Sequence, residues 1–247
     1  MRIALWILFV GLTAAAQPAK KPTIVMISGE YEYASSNSLP AFKQFLESNY
    51  ALKCVYLERK GEQIPGLEAL KSADLCLFFI RRMTLPEEQL GMIKDYVNSG
   101  KPLIGLRTAS HAFENWKEWD NVVLGGNYHN HYGNTLAATA RINAEALSHP
   151  ILKNVAKEFE TPGSLYKTSP LAKGTTLLIT GSVTNQPPEP MAWTHTYKGA
   201  RVFYTSLGHP KDFDQPAFRT MLVNAVFWAL DQPVPAPRQS LARDRAK

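Results

Sequence analysis

The stretch KPLIGLRTASHAF, residues 101–113, decides the fold class of this chain. Its apolar LIGL segment has the composition of a buried strand, and the polar turn that follows leads into a predicted helix. In an open α/β sheet, ligands bind beyond the carboxyl ends of the strands. Because the turn carries Arg107, Thr108, Ser110 and His111, it is a candidate functional site.

The same turn lacks the sequence of a covalent nucleophile. A Gly-x-Ser-x-Gly elbow, or a cysteine two residues after the glycine, would place a reactive side chain at the strand end. Here Gly105 is followed by Leu106 and Arg107. An arginine is always protonated and is not a nucleophile, so the turn argues against covalent catalysis.

On both sides of this stretch, apolar runs alternate with amphipathic segments, as in a βα series. The pattern predicts an α/β fold: a doubly wound, mostly parallel sheet with helices on both faces. The predicted strands are residues 23–28, 53–57, 75–80, 103–106, 137–143, 176–180, 191–196 and 201–206, and the predicted helical segments are 39–48, 67–71, 84–98 and 218–230.

Local signals refine this prediction at three places. Ser38 and Thr84 are predicted N-caps, because each hydroxyl stands just before a helical pattern. The sequence YKGA, residues 197–200, has the composition of a hairpin turn between the last two strands. A hairpin there predicts a mixed sheet edge.

The termini are predicted to lie outside this fold. Residues 1–16 combine Arg2, an apolar run and an Ala-Ala-Ala ending, as in a cleaved signal peptide, which predicts a periplasmic or secreted protein. An uncleaved N-terminal anchor is the alternative. No later segment approaches the roughly 20 apolar residues of a membrane span. Residues 17–235 then suit one α/β domain, although a split in two is open, and residues 236–247 are predicted to be a disordered basic tail.

The charge of the chain does not indicate a nucleic-acid partner. The net charge is +6, but Arg2 contributes +1 and the segment from Arg238 to Lys247 contributes a net +3, which leaves about +2 on the body. That is no basis for a phosphate-binding surface.

The two cysteines, Cys54 and Cys76, fall within predicted strands. In the common strand order 2-1-3-4-5 the first strand separates them by about two strand spacings, roughly 9.6 Å, beyond the reach of a disulfide. We therefore expect free, buried thiols.

Four predicted strands deliver polar clusters to one rim, if they are parallel neighbours. Acidic and aromatic residues follow the first strand, arginines the third, the opening turn the fourth, and a histidine the last. Such a rim offers acids, bases, cations and aromatic rings together, which suits a polyhydroxylated ligand. The residues that we predict at this rim are Glu30, Glu32, Tyr33, Arg81, Arg107, Thr108, Ser110, His111 and His209.

A second group lies in GGNYHNHYGN, residues 125–134, which contains Asn127, His129 and His131. Two histidines two residues apart on an extended segment face the same way and could ligate a divalent metal such as zinc. A third ligand would come from His111 or His209, with Glu30 or Glu32 as the acidic alternative. Histidines that hydrogen-bond a substrate or the protein itself are the other interpretation, and we favour it because the ligand count is not met.

Two tryptophans, Trp116 and Trp119, stand about one helical turn apart. Packing explains such a pair, and a platform for stacking a sugar ring is the functional alternative. We favour packing for one of them and leave the role of the other open.

Taken together, the sequence resembles ThuA-like proteins, a family named for trehalose utilisation. The resemblance covers residues 23 to about 235 and is carried by SGEYEY, FFIRRMTLP, GKPLIGLRTASHAF, VLGGNYHNHYGN, HPILKNV, PGSLYK, EPMAWTHTYKGARVFYTSLGHP and PAFRTMLVNAVFWAL. It implies a flavodoxin-like core shared with class I glutamine amidotransferases, and a carbohydrate connection that often involves oxidised sugars. It also implies that Arg107 occupies about the place of the amidotransferase cysteine, so glutaminase activity is not expected.

Two functions follow from these residues. In the first, an enzyme acts on a sugar or keto-sugar derivative, with His111 or His131 as general acid/base and Glu32 or Glu30 as a second proton-transfer group. Substrate would be held by Tyr33, Arg81, Arg107, Thr108, Ser110, Asn127, His129 and His209. In the second, the same rim binds a glycan without turnover. The expected partner is a small carbohydrate, and self-association as a homo-oligomer stays open.

Overall fold

The computed structural model describes residues 20–238 of the chain. The predicted signal peptide lies outside the described residues, as do residues 239–247 of the predicted tail. Within the described range, no helix combines the length and the apolar composition that crossing a membrane would require.

Eleven strands and three α-helices make up the regular structure of this range, joined by short 3₁₀ helices. The strands are β1 (Thr23–Gly29), β2 (Lys53–Glu58), β3 (Leu75–Ile80), β4 (Leu103–Leu106), β5 (Asn130–His131), β6 (Ala138–Ile142), β7 (Glu158–Thr161), β8 (Tyr166–Lys167), β9 (Thr176–Ser182), β10 (Glu189–Tyr197) and β11 (Ala200–Thr205). The helices are α1 (Ser35–Asn49), α2 (Glu87–Asn98) and α3 (Pro216–Ala229).

Nine of the strands form one sheet in the order β2-β1-β3-β4-β11-β10-β9-β6-β7. From β2 to β11 all neighbours are parallel, and from β11 to β7 they are antiparallel. The predicted order 2-1-3-4 and the mixed edge are therefore confirmed. The parallel half brings the carboxyl ends of β1, β3, β4 and β11 to one rim.

Apolar side chains on both faces of the sheet explain why the central strands read as continuous apolar runs. In β1, Ile24 and Met26 belong to the core beneath α1 and α3, whereas Val25 and Ile27 belong to the opposite core, beneath α2. The alternation follows from the two-residue period of a strand. The predicted helices on both faces are thus confirmed.

Both predicted N-caps are wrong. Helix α1 begins four residues before the predicted start, after Ala34 in a left-handed conformation, and Ser38 lies inside it, where its hydroxyl donates to the Ala34 carbonyl. Helix α2 begins after Pro86, not at Thr84. A hydroxyl residue before an apolar pattern does not identify the N-cap here, because each helix begins after a different residue, Ala34 for α1 and Pro86 for α2.

The helix expected after β4 is a 3₁₀ helix of five residues, Arg107–His111. Three strands were not predicted: β7, whose EFET sequence at the sheet edge is mostly polar, and the two-residue strands β5 and β8, which pair with each other. Short or edge strands carry too little apolar periodicity to be recognised in sequence.

The hairpin and cysteine predictions are confirmed. Lys198 and Gly199 both have positive φ, 46° and 81°, as a two-residue turn between antiparallel strands requires. Cys54 in β2 and Cys76 in β3 are buried and free, and β1 lies between their strands.

Candidate functional site

A cleft of about 450 Å³ lies at the carboxyl ends of the parallel strands. We call it the strand-end cleft. Its lining residues are Glu32, Tyr33, Arg81, Arg82, Arg107, His111, Tyr128, His131, Asn134, Pro162, Gly163, Ser164, Tyr166 and His209. Side chains that follow β1, β3, β4 and β11 thus meet in one place, as their strand ends predict.

The turn after β4 is shaped by Arg107 itself. This residue has φ of +45°, a left-handed conformation that side chains other than glycine seldom adopt. The Tyr204 hydroxyl of β11 donates to the Arg107 carbonyl at 2.6 Å, and the Ser110 hydroxyl donates to it at 3.3 Å. The kink turns the chain directly from the strand into the 3₁₀ helix, so that His111 also reaches the cleft.

The guanidinium of Arg107 is held between two aromatic rings. Its Cζ lies 4.0 Å from the centre of the Tyr33 ring and 4.8 Å from that of Tyr166. Nη1 donates to the Ser206 carbonyl at 2.7 Å and Nη2 to the Ser164 hydroxyl at 3.3 Å, while Nε has no hydrogen-bond partner. Although the side chain lines the cleft, the residue is only 1 % exposed, so its charge is largely removed from solvent.

Glu30 shapes the loop after β1 and is not among the residues that line the cleft. Its buried carboxylate accepts hydrogen bonds from the backbone N–H groups of Tyr33, at 2.6 Å, and Ser35, at 2.7 Å. These bonds fix the loop that carries Tyr33 over Arg107. The structure therefore gives Glu30 a positioning role in place of the predicted contact with substrate.

His111 is the histidine whose surroundings alter its chemistry most. Its ring stacks on Tyr128 at 4.4 Å, and Nδ1 lies 3.1 Å from the Ser110 hydroxyl. Burial, followed by the positive charges of Arg82, Arg81 and Arg107, lowers the pKa of His111 to about 3. The imidazole is therefore neutral at neutral pH.

The two arginines after β3 each face a carboxylate. Arg81 Nη2 lies 2.8 Å from Glu32 Oε1, whereas Arg82 Nη1 is 3.8 Å from Glu114 Oε1. Glu114 also binds Lys117 at 2.8 Å. Because these partners are partly exposed, each pair is worth little for stability, and all four groups remain accessible to a ligand.

A second cavity, of about 280 Å³, adjoins the strand-end cleft. We call it the Asp120 cavity. It shares Arg82, His111 and Tyr128 with the cleft and is also lined by Ser110, Ala112, Phe113, Glu114, Trp116, Lys117, Trp119, Asp120 and His129. The His111–Tyr128 stack forms part of the boundary between the two spaces.

The sequence analysis did not single out Asp120. Its Oδ2 accepts a hydrogen bond from the Tyr128 backbone N–H at 2.6 Å, but its buried Oδ1 has no partner. Burial raises the pKa of Asp120 to about 7, although the bond from Tyr128 opposes the shift. Tyr166, whose ring contacts Arg107, His111 and His131, was likewise missed. Tyr166 gave no signal beyond its presence in PGSLYK, and Asp120 lies just before VLGGNYHNHYGN, outside every block that the sequence analysis used.

His129 and His131 face different spaces. His131 lines the strand-end cleft and His129 the Asp120 cavity. His131 Nδ1 lies 2.7 Å from the Tyr132 carbonyl oxygen, and His129 Nδ1 lies 2.9 Å from that of Asn127. Among residues 20–238, no three His, Cys, Asp or Glu side chains come together as a metal site. The zinc site that the sequence left as the alternative therefore has no third ligand in this range, and we derive no step through a metal.

Three other predicted contacts lie outside the strand-end cleft, and one of them, Ser110, lines the Asp120 cavity. Thr108 is fully buried and its hydroxyl has no hydrogen-bond partner. Asn127 is exposed and donates to the Ser169 carbonyl at 2.9 Å. Neither Thr108 nor Asn127 belongs to the residues that line the cleft or the Asp120 cavity.

The two tryptophans pack against other side chains. Trp119 is 1 % exposed and its indole N–H donates to the Ala109 carbonyl at 2.6 Å. The Trp116 ring stacks on Phe113 at 6.0 Å and carries the Lys94 ammonium over it at 5.3 Å. Packing therefore accounts for Trp119, whereas Trp116 also lines the Asp120 cavity, so that a stacking platform there stays a prediction.

Comparison with known proteins places this site in a family. The family model described as ThuA, trehalose utilisation, matches residues 23–229. A ThuA-like protein from Bacteroides uniformis has a similar structure, with a TM-score of 0.68, 19 % identity, and coverage of 87 % of this chain and 95 % of its own. A ThuA-like protein from Parabacteroides merdae gives a TM-score of 0.68 at 16 % identity, with 87 % and 92 % covered.

More distant likeness is confined to the fold. A cold-adapted β-galactosidase from Rahnella sp. R3 contains a similar part, with a TM-score of 0.57 at 11 % identity, covering 87 % of this chain and 32 % of the enzyme. No curated protein matches the chain in sequence. Since the family match extends over most of the chain and over every strand that builds the cleft, the chain belongs to the ThuA (trehalose utilisation) family.

Proposed function

We propose that the protein is exported and acts in carbohydrate utilisation, binding a sugar or keto-sugar derivative in the strand-end cleft and processing it by proton transfer. One observation carries the proposal: His111, His131 and Glu32 line the same cleft as the buried cation of Arg107. A site that only binds a sugar does not need several titratable side chains around a fixed charge, whereas a site for proton transfer does. Family membership supplies the carbohydrate context, and the apolar N-terminal sequence supports export.

His111 enters the reaction as a neutral imidazole. A pKa of about 3 leaves it without a proton to give as an imidazolium at neutral pH. A general base works best with a pKa near the operating pH, so an imidazole with a pKa this low is too weak a base to take a proton from carbon. Because Nδ1 faces the Ser110 hydroxyl, Nε2 is the ring atom left for the substrate. We assign His111 to a hydrogen bond with a substrate hydroxyl, and we assign the general acid/base role expected from the sequence to His131, with Glu32 as the second proton-transfer group.

The other wall of the cleft supplies the proton-transfer groups. His131 and Glu32 both line it, and Glu32 is the more exposed, with 47 % of its side chain accessible. With a keto-sugar, His131 removes a proton from the carbon beside the carbonyl, the electron pair of that C–H bond forms the C=C bond of an enolate, and negative charge develops on the carbonyl oxygen. Arg107 and Arg81 stabilise that charge, since fixed cations aimed at a developing oxyanion lower the barrier. His131 or Glu32 then returns a proton to the product.

Glutamine hydrolysis is not part of this proposal. Arg107 follows β4 at the position where the amidotransferase resemblance expects a cysteine. Both cysteines of the chain lie in strands, and burial raises the pKa of Cys54 to about 12 and that of Cys76 well above its usual value. Neither thiol becomes the thiolate that a nucleophile requires.

Product analysis tests the proposal. Purified protein is incubated with trehalose, other disaccharides and their 3-keto forms, and the products are separated and identified. We expect turnover of at least one member, a loss of at least about 100-fold in His131→Gln, and near wild-type rates in His195→Gln. His195 is a matched control because it bonds Thr175 outside the cleft.

Two outcomes would count against this proposal. Turnover that His131→Gln leaves unchanged would remove His131 from the mechanism. Calorimetric binding of a panel member without any product would replace the enzyme by its alternative, a glycan-binding module that uses the same cleft.

A further inference from the structure

The charge of Arg107 has no counter-ion in the described part of the chain. No Asp or Glu lies within ion-pair distance of its guanidinium, since the seven ion pairs formed by residues 20–238 all involve other cations. The carboxylate that acts on Arg107 from farther away is Asp212, whose negative charge contributes to the raised pKa of Arg107. Its Oδ2 accepts hydrogen bonds from the backbone N–H groups of Gly208 and His209, both at 2.9 Å.

A buried charge without a partner is unusual, because burial costs free energy that an ion pair or strong hydrogen bonds must offset. Arg107 is offered one carbonyl, one hydroxyl at 3.3 Å and two ring faces. Its Nε is left without a hydrogen bond although the residue is 1 % exposed. These uncharged contacts leave the positive charge of the guanidinium uncompensated, so a negatively charged ligand in the cleft would supply the counter-ion that the described chain lacks.

The rest of the cleft has the same sign of charge. Arg81 and Arg82 also line it, while Glu32 is the one carboxylate among its lining residues and already binds Arg81. Three guanidinium groups therefore face one carboxylate. The guanidinium group is suited to carboxylate and phosphate, which it can bind through two parallel hydrogen bonds.

We propose that the ligand of the strand-end cleft carries an oxyanion, a carboxylate or a phosphate, and that Arg107 is its counter-ion. This inference rests on the proposed function and sharpens it: among such sugars the cleft prefers those with an acidic group, of the class of uronic acids or sugar phosphates. Arg82 is the cation on the exposed side of the cleft. Its charge is available to the anion because its own ion pair with Glu114 is long, at 3.8 Å.

Calorimetry with four probes tests this inference: glucose, glucuronate, glucose 6-phosphate and inorganic phosphate. We expect glucuronate or glucose 6-phosphate to bind at least about tenfold more tightly than glucose, which corresponds to one charge-assisted contact. Preference for glucuronate would identify a carboxylate, and preference for glucose 6-phosphate a phosphate. In Arg107→Gln the preference for the charged sugar is expected to disappear.

A second pair of variants keeps the test decisive if Arg107→Gln does not fold. Arg82→Gln removes a charge from the exposed wall of the cleft and should shrink the preference several-fold. Arg141→Gln removes the same charge from a pair with Glu158 at the sheet edge and should leave the preference unchanged.

The results separate this inference from the proposed function. Glucose that binds as tightly as both charged sugars overturns the acidic ligand and leaves a sugar site in place. Phosphate that binds in an Arg107-dependent manner, without binding of any sugar, supports the anion site and contradicts the carbohydrate function. Failure of all four probes to bind overturns the anion site.

Discussion

At the scale of single residues, the neutrality of His111 is the feature with the clearest consequence for pH dependence. Its folded-state pKa, about 3, lies below the ordinary value of 6.5. Between these values the unfolded chain binds more protons, so the stability contributed by neutral His111 is present above pH 6.5 and is lost as the pH falls towards 3.

We therefore expect the free energy of unfolding to decline with falling pH across this window, and to decline less in His111→Gln. Urea titrations at pH 4, 5, 6 and 7 measure both slopes. In NMR titrations, the ring protons of His111 should not titrate between pH 5 and 8. A midpoint near 6.5 would show that the arginines and burial do not act on this histidine as described.

Asp120 has the opposite dependence, because its pKa is raised from 3.8 to about 7. A raised pKa gives stability below pH 3.8 that is lost as the pH rises through 7. Asp120→Asn keeps an oxygen acceptor for the Tyr128 N–H and removes the titration.

Relative to the wild type, the free energy of unfolding of Asp120→Asn should rise by about 1 kcal/mol or more between pH 4 and pH 8, given that one pKa unit corresponds to about 1.4 kcal/mol. Chemical denaturation at the two pH values checks this difference. Asp214→Asn, at an exposed position, is the matched control. An equal response of both variants would contradict a buried, protonated Asp120.

At the scale of elements, the segment between β7 and β8 holds Arg107 in place. A Cβ at Gly163 would lie 2.8 Å from Arg107 Nη1, so Gly163→Ala must displace the guanidinium. We expect about tenfold weaker binding of glucuronate and a loss of about 1–3 kcal/mol in stability from overpacking.

Gly91→Ala is the matched control for this change. Gly91 lies inside α2 and a Cβ there meets no atom within 4 Å. The substitution should leave binding unchanged and stabilise the helix by about 0.5–1 kcal/mol. Calorimetry and thermal unfolding of both variants make the comparison. Binding that Gly163→Ala leaves intact would show that the position of Arg107 does not matter for the ligand.

The elements also show what sequence reasoning can reach. β1, β3 and β4 were predictable because strands covered on both faces are continuous apolar runs, and their order followed from the doubly wound pattern. The start of α1 could not be predicted, because it depends on Ala34 adopting a left-handed conformation, for which alanine has no preference. β7 was missed because a mostly polar edge strand has the composition of a loop.

At the scale of the whole molecule, the sheet explains both the success and the limits of the site prediction. Parallel neighbours deliver Tyr33, Arg81, Arg107 and His209 to one rim, so their meeting followed from strand order. Tyr166 comes from the two-residue strand β8 and Asp120 from the short π-helical turn Trp119–Leu124, and they line the strand-end cleft and the adjoining Asp120 cavity, respectively. Their positions depend on long-range packing, to which residue type and spacing give no access. The separation of His129 from His131 into two different spaces also depends on long-range packing, which their spacing in the sequence does not indicate.

The central claim is that the strand-end cleft is where the ligand binds. A crystal structure of the protein soaked with glucuronate tests it most directly. We predict the sugar in the strand-end cleft, with its carboxylate on the Arg107 guanidinium and its ring within hydrogen-bond distance of His111. Ordered glucuronate elsewhere, such as the groove between Tyr50 and Arg219, with the cleft empty, would contradict the claim.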